Sequence, residues 1–92
     1  PTGWGIVYNE LSRKPIISAV VRIFEPKYNK LLDTFVTDSK GRYSFVVGPS
    51  TYYTTYEKTG FGLLKLAPID YSSAKESVVV NYDVPLEEKT SP

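Results

Sequence analysis

Thr37-Asp38-Ser39-Lys40-Gly41-Arg42-Tyr43-Ser44-Phe45 is the stretch that decides the reading of this chain. It follows a strand-like run, Lys30 to Thr37, and opens another, Arg42 to Val47, where Tyr43, Phe45 and Val47 alternate with Arg42, Ser44 and Val46. Side chains on a strand point to opposite faces in turn, so this alternation marks a half-buried strand. Asp38 can cap its own turn by accepting an amide hydrogen bond, and Gly41 takes a positive φ without steric cost. The stretch is therefore expected to form the tight turn of a β-hairpin.

The same grammar extends outward in both directions. In Ser18 to Glu25, Ala19, Val21 and Ile23 alternate with Val20, Arg22 and Phe24. Arg22 assigns the outer face, so Ala19, Val21 and Ile23 are expected in the core. Leu31 to Thr37 sets Leu32, Thr34 and Val36 against Leu31, Asp33 and Phe35, with Phe35 expected outward. Gly3 to Tyr8 is a first strand carrying Trp4, Ile6 and Tyr8 on one face. Thr51 to Lys58 is rich in the tyrosine and threonine that suit a pleated, half-buried surface. Tyr53 and Tyr56 have opposite parity there, so one of them faces out.

Leu63, Leu64 and Leu66 are expected to form a short strand, and Pro68 through Lys75 a long loop. Ser77 to Leu86 is the last strand, with Val78, Val80, Tyr82, Val84 and Leu86 on one face. Pro85 cannot donate to a ladder, which puts it at an edge. Alternation assigns Trp4, Tyr43, Phe45 and Tyr82 to the core. No helical periodicity appears. Short strands separated by turn signals at intervals of about eight to twelve residues indicate an all-β sandwich or small barrel. The expectation is a seven-stranded antiparallel Greek-key sandwich. Residues 1–86 form its single domain and 87–92 a polar exit linker.

Ninety-two residues suffice for one domain and one compact core. The formal net charge is +1 with acids and bases interspersed, so no basic stripe suggests a nucleic-acid partner. No apolar run is long enough to cross a bilayer, and no signal-peptide pattern occurs. Cysteine is absent, so packing rather than disulfides must hold the core. Methionine is absent even at position 1, which points to a module of a longer chain or a processed product.

Catalytic chemistry is scarce. Without histidine or cysteine, the Ser-His-Asp and Cys-His triads and the usual zinc sites are excluded. The carboxylate pairs Asp33 with Asp38 and Glu87 with Glu88 read as a turn cap and a solvated tail. Asp38-Ser39-Lys40-Gly41 lacks the converging oxygens of a calcium loop, and Lys40 would repel the cation. No bound metal or cofactor is expected.

Gly5-Ile6-Val7, then Lys14-Pro15-Ile16, then Ala19-Val20-Val21-Arg22-Ile23 resembles the opening of carboxypeptidase regulatory-like domains, which belong to the prealbumin-like, or transthyretin-like, sandwiches. Thr37-Asp38-x-x-Gly41-x-Tyr43-x-Phe45 is similar to that family's second signature. Pro49, Tyr52 and Gly60-Phe61 are similar to its third. The resemblance runs from Gly5 to about Phe61. It departs from the family pattern at Ser50, where glycine is usual, and at Thr54 and Tyr56. Transthyretin-like hydrolases of hydroxyisourate use histidines and a C-terminal motif that this chain lacks.

The resemblance implies an accessory module of a larger surface, secreted or membrane-anchored protein, in an extracellular or cell-envelope setting. The expected function is a non-catalytic structural or protein-interaction module, whose partners are other domains of its parent chain or another protein. The alternative is a carbohydrate-binding module using exposed aromatics. Val20, Phe24, Phe35 and Tyr53 are the candidate interaction surface. Either these side chains are exposed as an apolar patch, or the Leu63–Tyr71 segment covers them.

Overall fold

The computed structural model describes residues 3–90; the outer ends of both expected spans, 1–2 and 91–92, lie outside them. Among the described residues there is no helix, and ten short strands form: β1 (Gly5–Asn9), β2 (Val20–Glu25), β3 (Lys30–Val36), β4 (Arg42–Tyr43), β5 (Phe45–Val47), β6 (Thr51–Glu57), β7 (Leu64–Lys65), β8 (Ile69–Asp70), β9 (Val78–Val80) and β10 (Val84–Leu86). One layer has the order β3-β2-β6-β7, with β8 also paired to β6. The other is built from β10-β1-β4 and from β5-β9, joined because only Ser44 separates β4 from β5. The chain is an all-β sandwich. The expected runs Arg42 to Val47 and Ser77 to Leu86 are each interrupted, and β8 forms by pairing with β6 inside the expected Pro68–Lys75 loop, which together raise the strand count from seven to ten.

Val21, Ile23 and Tyr56 from the first layer meet Val7, Tyr43, Phe45, Val80, Val84 and Leu86 from the second in one buried cluster. Ala19, Val21 and Ile23 are wholly buried, as their alternation with Arg22 requires. Pairing is antiparallel apart from one departure from the expected pattern: β1 and β10 run parallel, with Val7 opposite Val84 and Leu86 opposite Asn9. β10 lies at the edge of its sheet, where the missing amide of Pro85 disrupts no second ladder.

The turn at Asp38 forms, but it does not close a hairpin. β3 pairs with β2 and β4 with β1, so Thr37 to Gly41 carries the chain from one layer to the other. Local chemistry explains this. The Thr37 hydroxyl donates to the Ile16 carbonyl and accepts from the Ala19 amide, both at under 3 Å. It therefore keeps the end of β3 on the first layer. Asp38 Oδ1 then accepts the Lys40 and Arg42 amides, and the Gly41 carbonyl accepts the Val7 amide at 2.8 Å, which delivers the chain to β1.

The inner face of β1 is the reverse of that expected. Gly5 and Val7 point inward, and Trp4 is 45% exposed. Alternation favoured the bulkier set, Trp4, Ile6 and Tyr8. The inward place at position 5 is instead filled from outside the strand, by the Tyr43 ring and the Asn81–Tyr82 backbone. Tyr82 is only half-buried. Phe35 also faces inward, because the register sets it opposite Val21, and its ring meets Phe45 and Trp4 edge-on. Glu87 to Lys89 run beside the Gly60–Gly62 corner, where Gly62 donates to the Glu87 carbonyl and Lys89 to the Gly60 carbonyl.

Two glycines are tests of this architecture. A Cβ at Gly5 would lie 2.4 Å from the Tyr82 carbonyl oxygen. One at Gly41, where φ is +72°, would lie 2.5 Å from the Val7 carbonyl oxygen. Gly5→Ala is expected to cost about 2–3 kcal/mol, and Gly41→Val about 2 kcal/mol. Gly3→Ala, with open space around it, should be neutral to within about 0.5 kcal/mol. Urea denaturation midpoints check the ranking; equal midpoints for all three would contradict the close approach of the Tyr43 ring and the Tyr82 backbone to Gly5.

Candidate interaction surface

The outer face of the β3-β2-β6-β7 layer is arranged in rows fixed by register. One row runs Val36, Val20, Glu57. The next runs Thr34, Arg22, Thr55, Lys65, and the third Leu31, Phe24, Tyr53. Apolar pairs thus lie on both sides of a polar row. Arg22 reaches diagonally to Glu57 at 2.7 Å. Both groups are substantially exposed, so the pair is worth well under about 1 kcal/mol and serves mainly to define the surface.

The structure separates the four sequence-predicted site residues. Val20 and Phe24 lie half-buried on this outer face. Tyr53 shares the face, yet it is only 8% exposed. Phe24 stacks on it at a centroid distance of 4.9 Å, Lys65 Nζ sits 4.4 Å above its ring, and its hydroxyl donates to Asn29 Oδ1. Part of the Leu63–Tyr71 segment therefore reaches over it through Lys65. Phe35 does not belong to the surface at all.

Other residues complete the face without having been singled out. Val36 and Leu31 are 56% and 48% exposed. Beyond Val20 and Glu57 the face opens into a trough of about 430 Å³ that includes Lys58, Phe61 and Leu63. A second trough of about 410 Å³ shares Lys58 and Phe61 and continues past Ile17. These walls come from turns, which carry no periodic signal in the sequence. Exposed aromatics also stand elsewhere: Trp4, with the Arg42 guanidinium 5.2 Å from its ring centre, and Tyr28, with Lys27 beside it.

The titratable groups have structural partners. The Arg42 amide above all, helped by the Arg42 guanidinium and the Lys40 amide, holds the Asp38 carboxyl below its ordinary value despite the opposing effect of burial. Glu10 is raised by a hydrogen bond to Glu87 and by that neighbour's like charge. In the core, the Tyr43 hydroxyl donates to the Tyr82 carbonyl at 2.8 Å. Having one proton to give, it must accept from Tyr56 at 2.7 Å. Tyr56 in turn accepts from Thr54 Oγ1 at 3.0 Å. The Tyr71 and Tyr82 hydroxyls bond to each other farther out.

No protein-family model matches the chain, and no curated protein is similar to it in sequence.

Burial, above all, pushes the phenols of Tyr43 and Tyr56 above their ordinary value. Both stay protonated in the fold at a pH where the unfolded chain has released those protons. This contribution to stability is complete below about pH 10 and is lost as pH rises further. Urea melts at pH 8 and pH 9 should therefore agree in this respect. Above pH 10 stability should fall, by at most about 1.4 kcal/mol per pH unit for each tyrosine. Tyr56→Phe should give a shallower alkaline slope, and an unchanged slope would contradict the assignment.

Proposed function

We propose that this sandwich is a non-catalytic structural or protein-interaction module of a larger surface or envelope protein. The observation that carries the reading is the continuity of the outer rows with the end trough through Val20 and Glu57. Valine, leucine and phenylalanine pairs on either side of one polar row, ending in a concavity, offer a protein partner both apolar contact area and polar anchoring groups. The motif resemblance of Gly5 to Phe61 to carboxypeptidase regulatory-like domains supports the same role, as does a core held by packing and hydrogen bonds alone. Partners of this surface are other domains of the parent chain or another polypeptide.

A photo-reactive amino acid placed at Val36 or Thr55 in the parent protein tests it. Both positions are expected to give polypeptide adducts, identified by mass spectrometry, while Lys75, in the loop that follows Tyr71, gives none. Adducts only at Lys75, or none on the rows, would count against the reading.

Carbohydrate binding is the second reading, and exposed Trp4 is the observation that favours it. Affinity electrophoresis in soluble polysaccharides separates the two. Retardation that Trp4→Ala abolishes would shift the function to sugar recognition.

A further inference from the structure

β3 is the outermost strand of its layer and pairs with β2 on one side only among the described residues. One bond sets the direction of its backbone groups. The Thr37 amide donates to the Ala19 carbonyl at 2.9 Å, so it faces β2. Amide direction alternates along a strand. Phe35 and Asp33 therefore also face β2, while Val36 and Thr34 present their amides and carbonyls to the open side. An edge of this kind is a template for a further strand.

The template is obstructed at its centre. Asp33 Oδ1 accepts the outward-looking Thr34 amide at 2.8 Å. The ladder also slips between Ile23 and Phe24, opposite Leu32, which bends the strand there. Around this point Leu31, Leu32 and Val36 remain exposed.

We propose that the β3 edge is an interaction surface for an extended strand of a second copy of the chain, and that Asp33 holds it shut. Self-complementarity selects the occupant. Antiparallel pairing about Thr34 aligns Thr34 with its own counterpart and Leu32 with Val36. Exposed apolar side chains then meet apolar ones on both sides of the centre. The central hydrogen-bonded pair needs the very Thr34 amide that Asp33 occupies. The same alignment sets the Asp33 carboxylate against Phe35, where losing water is costly.

Sedimentation velocity on the chain and on Asp33→Thr tests this. The unaltered chain should stay monomeric across the micromolar range. Asp33→Thr should dimerise with an apparent dissociation constant at least about tenfold lower, and hydrogen exchange should show new protection at Thr34 and Val36. Asp33→Asn, which keeps the Oδ1 acceptor, should resemble the unaltered chain. Should Asp33→Thr fail to fold, Asp33→Ala makes the same comparison. A folded variant that stays monomeric, or that associates without protecting Thr34 and Val36, overturns the proposal. An Asp33→Asn variant that dimerises as fully as Asp33→Thr overturns the role of the hydrogen bond.

Discussion

The hydroxyl of Tyr43 is where the two layers are fastened to each other. It stands on β4 and accepts from Tyr56 on β6, across the interior, while giving its own proton to the chain that leads into β10. In a dry interior each of these groups would be costly if left alone. The relay from Thr54 through Tyr56 and Tyr43 to the Tyr82 carbonyl leaves no hydroxyl in that line without a partner. It also fixes the spacing of the layers, since β4, β6 and the segment leading into β10 must meet at one point. The small size of Gly5 makes the meeting possible, because the Tyr43 ring and the Tyr82 carbonyl occupy the volume that a side chain would claim.

Much of this was legible in the sequence, and the failures have physical causes. β2 could be read outright: its inner set is uniformly apolar, and Arg22 names the outer face. The Asp38–Gly41 turn was also legible, because its chemistry is local. What local chemistry does not encode is the destination of the chain after the turn. Thr37 binds Ile16 and Ala19, and Gly41 binds Val7, all far away in sequence. Parity failed at β1 because the inward residue there is a glycine, whose role is to leave room. It failed at Phe35 because Asp33 shares its parity and marks that side as outer, whereas the register sets both against the inward residues Val21 and Ile23 on an edge strand that is exposed on most of its length.

The candidate surface was half legible for related reasons. Val20 and Phe24 follow from the parity of β2. The shielding of Tyr53 depends on Asn29 and Lys65, side chains brought in by a loop and a two-residue strand. The end trough is made of corners, whose residues show no spacing to read. Pairing geometry thus joins positions from three parts of the chain into one surface, and only the β2 portion announces itself.

The side-by-side, same-direction course of β1 and β10 has a mechanical consequence. Tension drawn from the start of β1 and the finish of β10 acts along the strand axes in opposite senses. The contacts from Val7–Val84 to Asn9–Leu86, with the Glu10 amide on the Leu86 carbonyl, are then loaded in shear and must yield together rather than unzip singly. Pulling by atomic force microscopy would register this as one high-force rupture; a low-force, stepwise peel would exclude it. A fold wired in this way would resist tension applied at those two points.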